Sequence, residues 1–144
     1  MKKFLLASVI AMNLVGCASV NMGSAQQDAT AKAFKAPADK AAIYVYRNES
    51  MGAAIKMDVS VDGQPVGQTA AKTYLYKEVA PGKHTVESKS ENTDKVEIDA
   101  KPGTLYFIWQ EVKMGVLYAR TKLHLVGEDD GKKGVNETKL AETK

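Results

Sequence analysis

Polar and apolar residues alternate without a break over residues 56–62, and this pattern indicates the fold class. A period of two is typical of a strand with one buried face. Asp62-Gly63 ends the run, and this dipeptide suits the positive φ angles of a tight hairpin turn. Residues 64–68 are therefore predicted to return as an edge strand, with Pro65 at the edge. The side chains predicted to face the core are Met57, Val59 and Val61.

Similar patterns recur along most of the chain. The further predicted strands cover residues 41–47, 73–79, 84–87, 96–98, 105–109 and 116–126, and Pro81-Gly82 and Pro102-Gly103 separate some of them. Leu105–Trp109 is the most apolar run, so it is predicted to be a central strand buried on both faces, with Trp109 in the core. Seven or eight short strands with a turn about every ten residues predict an all-β fold. We expect an antiparallel β-sandwich over residues 41–126.

The first residues of the chain have the three parts of a secretory leader. Lys2 and Lys3 form a basic start, an apolar run covers Phe4–Val15, and small residues precede a cysteine. The apolar run is shorter than the roughly 20 residues that a membrane-spanning helix needs. We predict a signal peptide over residues 1–16 and no transmembrane helix.

Leu14-Val15-Gly16-Cys17 resembles the lipobox of bacterial lipoproteins. The resemblance implies that the Cys17 sulfur takes a diacylglyceryl group, that the leader is cut before Cys17, and that acyl chains such as palmitate anchor the protein. Two or three acyl chains hold a protein stably on a bilayer. Ala18 stands where Asp would retain a lipoprotein at the inner membrane, so the periplasmic face of the outer membrane is favoured. The alternative is a secreted protein whose leader happens to end near a cysteine.

Two segments flank the predicted sandwich. Residues 17–40 are predicted to form the lipidated start and a flexible tether, with a short helix around residues 28–34. Residues 127–144 are predicted to form a polar tail, in which a short helix over residues 135–143 would carry Val135 and Leu140 on one side.

Charge and cysteine content exclude some classes of protein. Loss of residues 1–16 would remove two lysines and lower the net charge from +3 to about +1. Such a balance favours neither nucleic acid nor a strongly anionic partner. A single cysteine allows no internal disulfide, so the fold depends on its core.

A set of strand and turn markers also carries a resemblance to a known family. The markers are Tyr44-Val45-Tyr46-Arg47, Val61-Asp62-Gly63, Tyr74, Pro81-Gly82-Lys83-His84, and Pro102-Gly103 with Tyr106. They resemble small bacterial lipoproteins that share a domain of unknown function, and they overlap the pattern of PEGA-type surface modules. The resemblance covers residues 41–126 and implies a β-sandwich on a lipid anchor. The markers carry no chemistry, and the family has no assigned activity.

No catalytic, metal or cofactor motif is visible. His84 and His124 are the only histidines, and neither has a second ligand at metal-binding spacing. Asp129-Asp130-Gly131 lacks the spaced acidic ligands of a calcium loop and is predicted to be a solvated turn. Motifs of nucleophilic hydrolases and phosphate-binding loops are also missing. We therefore predict that the protein is not an enzyme and holds no metal or cofactor.

Tyrosines are the candidate binding residues. Tyr44, Tyr46, Tyr74 and Tyr76 lie in predicted strands, and on one shared face they could stack on sugar rings. The alternative is ordinary cross-strand packing in a core.

Three functions stay open at this point. The first is a non-catalytic, lipid-anchored envelope protein with a structural or protein-interaction role. The second is a glycan- or peptidoglycan-binding module, and the third is a hydrolase whose site is assembled from distant residues. Exposed coplanar tyrosines would favour the second function, and a long unpaired strand would favour a protein partner.

Overall fold

The structure, a computed structural model, describes residues 19–144, so Cys17 and the predicted signal peptide lie outside the described residues. In chain order the elements are α1 (Ala25–Ala31), β1 (Ala41–Arg47), β2 (Met57–Val61), β3 (Gln64–Thr69), β4 (Thr73–Val79), β5 (Gly82–Lys89), β6 (Thr93–Ala100), β7 (Leu105–Met114), β8 (Ala119–Val126), α2 (Glu128–Asn136) and β9 (Lys139–Leu140). One sheet has the strand order β8-β7-β1-β4-β9, and the other has the order β3-β2-β5-β6.

The two sheets pack face to face, which confirms the predicted β-sandwich. Their shared core includes Ile43 and Val45 from the five-stranded sheet and Val59 and Val61 from the four-stranded sheet. The predicted hairpin turn is also present, because Asp62 and Gly63 both have positive φ angles. The described residues form nine strands where seven or eight were predicted, and the ninth has only two residues.

Two strand pairs differ from the predicted antiparallel arrangement. β1 pairs with β7 in parallel, and β4 pairs with β9 in parallel. The other ladders are antiparallel. A period-two pattern shows which side chains are buried, but it does not show the direction of the neighbouring strand. The sequence therefore predicts that β1 is a strand, but it does not predict the parallel partner of that strand.

A second core lies on the outer face of the five-stranded sheet. Its buried members are Ala31, Ala42, Tyr44, Tyr46, Tyr74, Phe107, Val135 and Leu140. The helices α1 and α2 supply Ala31 and Val135 to this cluster, so the fold has three layers: helices, a five-stranded sheet and a four-stranded sheet. This second core explains why every residue of β1 is buried.

The described part of the predicted flexible tether is folded onto the sandwich. Ser24 and Gln27 form a reciprocal capping box that begins α1, three residues before the predicted start of the helix. The ring of Phe34 packs on Tyr44 with centroids 5.5 Å apart. Met22 pairs with Ala141 beside β9. Residues 22–34 therefore belong to the folded domain, because their apolar side chains cover the second core.

The helix predicted over residues 135–143 lies earlier, at Glu128–Asn136. Glu128, Asp129 and Asp130 occupy its first turn, where negative charge is favourable, so the predicted turn at Asp129-Asp130-Gly131 is instead the start of a helix. Val135 and Leu140 lie in different elements but reach the same aromatic cluster.

Trp109 differs from its predicted core position. It is half-buried and stacks on His124 with ring centroids 4.8 Å apart. The register of β7 and β8 places these two residues opposite each other near the sheet edge, so Trp109 lies beside the second core instead of inside it. Its neighbours Phe107 and Ile108 are buried on opposite faces of the strand, as a central strand requires.

Candidate functional site

The predicted tyrosine platform is not a surface in this structure. Tyr44, Tyr46 and Tyr74 are buried, and Tyr76 is half-buried. The Tyr44 hydroxyl donates to the carbonyl of Ala31 at 2.6 Å. Burial raises the pKa of all four hydroxyls, so they stay protonated at neutral pH. The three buried rings pack in a core, as the alternative interpretation predicts, because the two helices cover the face of the sheet on which these rings lie.

The two histidines lie in different sheets, each bonded to a carboxylate. His84 Nδ1 lies 2.5 Å from Asp62 Oδ2, and His124 Nε2 lies 2.7 Å from Glu111 Oε2. Within residues 19–144 neither imidazole bonds to a hydroxyl. The same residues contain no cluster of three or more side chains able to hold a metal ion.

A different feature is exposed at the end of the β7–β8 hairpin. We call residues 114–118 the hairpin tip. Its large side chains and their exposed fractions are Met114 at 87%, Val116 at 91%, Leu117 at 83% and Tyr118 at 52%. Large apolar side chains that are exposed together are typical of interaction sites, whereas single ones are ordinary.

The hairpin tip is held in place by one carboxylate. Glu91, in the β5–β6 connection, accepts hydrogen bonds from the backbone N–H groups of Val116 at 3.0 Å, Leu117 at 3.1 Å and Tyr118 at 3.3 Å. Desolvation alone would raise the pKa of Glu91, but these N–H bonds outweigh it and lower the pKa below its usual value. The carboxylate is therefore charged at neutral pH and fixes the backbone of the hairpin tip.

Gly115 allows this close approach. A Cβ atom built on Gly115 would lie 1.9 Å from Glu91 Oε2, so no other residue fits without displacing the carboxylate. Ser90 Oγ also donates to the carbonyl of Ala119 at 2.9 Å, on the other side of the hairpin tip. The apolar side chains are thus presented on an ordered backbone.

Two basic residues stand directly behind the hairpin tip. Lys113 and Arg120 face each other across the β7–β8 ladder, and both are exposed. Lys113 also forms an ion pair with Glu111 at 3.3 Å, and the positive charge of Arg120 helps to lower the pKa of Glu91. The apolar hairpin tip, with Lys113 and Arg120 behind it, would fit an apolar pocket that is bordered by acidic side chains.

The sequence contains a signal for the hairpin tip that strand patterns do not use. Val116-Leu117-Tyr118 follows Gly115 between two strands, where polar residues are the rule. Consecutive apolar residues in a turn are a reason to suspect an interaction site. The strand predicted over residues 116–126 includes these apolar residues and so hides this signal. In the structure, β8 begins only at Ala119.

The hairpin tip lies at the sheet edge opposite the start of the described chain. Met22 pairs beside β9 at one edge of the five-stranded sheet, and β8 forms the other edge. Val20 is partly buried and packs against the core between the sheets. No helix in the described part of the chain is long and apolar enough to cross a membrane.

Comparison with known proteins places the domain in a family. A family model described as protein of unknown function, DUF2846, matches residues 37–121. An uncharacterized protein of Haemophilus influenzae is 35% identical over 143 residues, which cover 96% of this chain and 84% of that protein. The chain belongs to the DUF2846 family. No solved structure matches it.

The DUF2846 match has a structural meaning. It begins just before β1 and ends inside β8, so it contains the hairpin tip and Glu91. The helices α1 and α2 and the strand β9 lie outside the match. The family region is therefore the sandwich itself, and the layer that covers the second core comes from the flanking segments.

Proposed function

We propose that the protein is a lipid-anchored, non-catalytic envelope protein that binds a partner protein through the hairpin tip, at the periplasmic face of the outer membrane. The observation that carries the binding role is the set of four exposed apolar side chains on a fixed backbone. The lipobox at residues 14–17 supports the anchor, and Ala18 supports the outer membrane. The PEGA-type likeness stays a prediction.

The short connection between Cys17 and the domain gives the arrangement an orientation. Two residues separate Cys17 from Val20, and the three steps along the chain span about 10 Å when fully extended. An acylated Cys17 would therefore hold the β9 edge close to the bilayer. The hairpin tip, at the other edge of the sheet, would point away from that bilayer. This orientation favours a protein partner over insertion of the hairpin tip into the same membrane.

The exposed cations Lys113 and Arg120 indicate the chemistry of the partner, with Glu111 and Glu91 as their neighbours in the same chain. Lys113 and Arg120 would meet acidic side chains around an apolar pocket, and complementary charge of this kind steers association and fixes orientation. The glycan-binding alternative has less support, because the rings of Tyr44, Tyr46 and Tyr74 are buried.

The anchor is tested by Cys17→Ser. We expect wild-type protein to incorporate a tagged fatty acid in growing cells and the variant to incorporate none, because the serine hydroxyl does not replace the thiol as acceptor of the diacylglyceryl group. The variant should also accumulate with its leader uncleaved. Label on the Cys17→Ser protein would contradict the lipid anchor, and sedimentation of the wild type with inner-membrane markers would contradict the outer-membrane placement.

The hairpin tip is tested by photo-crosslinking in intact cells. A benzoylphenylalanine residue in place of Leu117 should give a discrete protein adduct, and the same residue in place of the exposed Glu97 on β6 serves as the control. The double variant Lys113→Glu, Arg120→Glu should lower the yield from position 117, because it would place acidic groups against an acidic rim.

Three results would contradict the role of the hairpin tip: equal adducts at positions 117 and 97, adducts with phospholipid alone, or a yield unchanged by the charge reversal. Each is independent of the fatty-acid experiment, so the anchor and the binding surface stand or fall separately.

A further inference from the structure

A groove separates α1 from the lower part of β4. Its volume is about 880 Å³, and its lining includes Met22, Gln26, Lys35, Tyr76, Glu78 and Leu140. We call it the β4 groove. Tyr76 and Glu78 lie inside the DUF2846 match, whereas the other residues named here lie outside it, and the groove is at the sheet edge opposite the hairpin tip.

The β4 groove exists because the chain leaves β4 after a short pairing. β9 pairs with β4 only at Thr73 and Tyr74. Ala141 then donates its N–H to the Tyr74 carbonyl at 2.8 Å, and three residues later Lys144 donates to the carbonyl of Val66 in β3. The chain has crossed to the other sheet, and on this side no strand among residues 19–144 pairs with β4 beyond Tyr74.

The register shows which backbone groups face this open edge. The Tyr74 carbonyl points away from β1, because it accepts from Ala141. Backbone groups of alternate residues point the same way along a strand, so those of Tyr76 and Glu78 also point away from β1 and toward the β4 groove. Among the described residues, the one partner of these groups is the Thr143 hydroxyl, which donates to the Tyr76 carbonyl at 3.2 Å.

The outer strands of the two sheets are tied to each other elsewhere. At β8, the N–H groups of Thr121 and Leu123 donate to Asn92 Oδ1 and Asp94 Oδ2, each at 2.8 Å. At β3, the Val66 carbonyl accepts from Lys144 at 2.7 Å. The stretch from Tyr76 to Glu78 differs from these edges, because a groove lies beside it and the Thr143 hydroxyl is its one partner among the described residues.

We propose that the β4 groove binds an extended polypeptide segment, which adds to the sheet beside Tyr76 and Glu78. A row of backbone donors and acceptors at strand spacing matches the main chain of another strand. The groove walls supply the side-chain contacts, with the Tyr76 ring and Leu140 as apolar surface and Lys35 as a positive charge. This site is separate from the hairpin tip, and the inference does not depend on acylation of Cys17.

Glu78 offers a sharp test, because its N–H points into the groove and its side chain is exposed. Glu78→Pro removes that N–H, and it leaves all the hydrogen-bond donors between β1 and β4 in place. Proline is tolerated at the edge of a sheet. Glu78→Ala is the matched control, since it removes the same side chain and keeps the N–H. The probes are heptapeptides selected from a random phage-displayed library against the purified full chain in detergent.

We expect selected peptides whose affinity falls about ten-fold or more in Glu78→Pro, which corresponds to the loss of one backbone hydrogen bond with its partner left unpaired. Glu78→Ala should retain most of the affinity. In the wild-type protein, bound peptide should slow hydrogen exchange at the Tyr76 and Glu78 amides. That measurement stays informative if the proline variant melts at a lower temperature.

The inference is overturned if the library yields no peptide that protects those two amides. It is also overturned if Glu78→Pro and Glu78→Ala weaken binding equally, or if peptidoglycan fragments protect the amides and peptides do not. The last result would support the glycan-binding alternative, with the binding site at the β4 groove instead of at the predicted tyrosine face.

Discussion

Arg47→Met is expected to lower the free energy of unfolding by about 3 to 5 kcal/mol, because it removes two charge-assisted hydrogen bonds to main-chain carbonyl groups. Arg47 is fully buried, and its guanidinium donates to the carbonyls of Gly52 at 2.6 Å and Ile55 at 2.7 Å. These bonds hold the connection between β1 and β2. Burial lowers the pKa of Arg47, although a guanidinium stays charged in proteins. Urea unfolding followed by the fluorescence of Trp109 measures the change.

Arg120→Met is the matched control, since Arg120 is exposed and forms no ion pair in the described part of the chain. It should change the unfolding free energy by less than about 0.5 kcal/mol. Equal effects of the two substitutions would show that water replaces Arg47 at the carbonyls and that the buried guanidinium is not a structural centre.

Gly134→Ala is expected to lower the free energy of unfolding by about 1 to 3 kcal/mol through overpacking. A Cβ atom on Gly134 would lie 2.2 Å from Tyr46 Cε2 in the second core. Alanine favours a helix over glycine by about 1 kcal/mol, so the expected sign follows from packing and opposes helix propensity. The Tyr46 ring is fully enclosed and has little room to move.

Lys133→Ala, one residue earlier in α2, is the control, because Lys133 is exposed and has no such contact. Thermal unfolding of the purified full chain measures both variants. A Gly134→Ala protein more stable than the wild type would show that α2 shifts without cost and that its close contact with the sheet is not required.

The strands were predictable because burial on one or two faces leaves a direct trace in the order of residues. Met57, Val59 and Val61 alternate with polar neighbours, and all three are buried. Ile43 and Val45 alternate with Tyr44 and Tyr46, and the two pairs lie in the two different cores. In both strands the side-chain period alone identifies the buried residues.

The helical layer was harder to predict because its residues act through close contact instead of periodicity. Gly131 and Gly134 are unfavourable in a helix, yet they let α2 approach Phe107 and Tyr46. Residues 22–34 have few large apolar side chains, and their docking depends on partners that are distant in sequence, such as the Tyr74 hydroxyl that donates to Asp28 at 2.7 Å. A local pattern does not contain such partners.

The candidate surfaces show the same division. The residue type of the four tyrosines suggests a binding surface. The strands that contain them do not predict the two helices that bury three of them. The β4 groove depends on the point at which the chain leaves β4 after Leu140, and no residue type marks that point. The hairpin tip is the exception, because its apolar turn is visible in the sequence once strand extension is set aside.

If Cys17 is acylated as proposed, the pairing of Met22 with Ala141 also limits the length of the connection between the membrane and the domain. Glu142 donates to the Asn21 carbonyl and Gly23 donates to the Leu140 carbonyl, so residues 139–142 hold the segment that leads back to the proposed anchor. With this contact in place the connection from Cys17 to Asn21 would be at most about 14 Å long, and with residues 18–40 released it would reach about 80 Å. Removal of a few residues at the other end of the described chain would thus turn a domain held against the bilayer into one that explores the space around it.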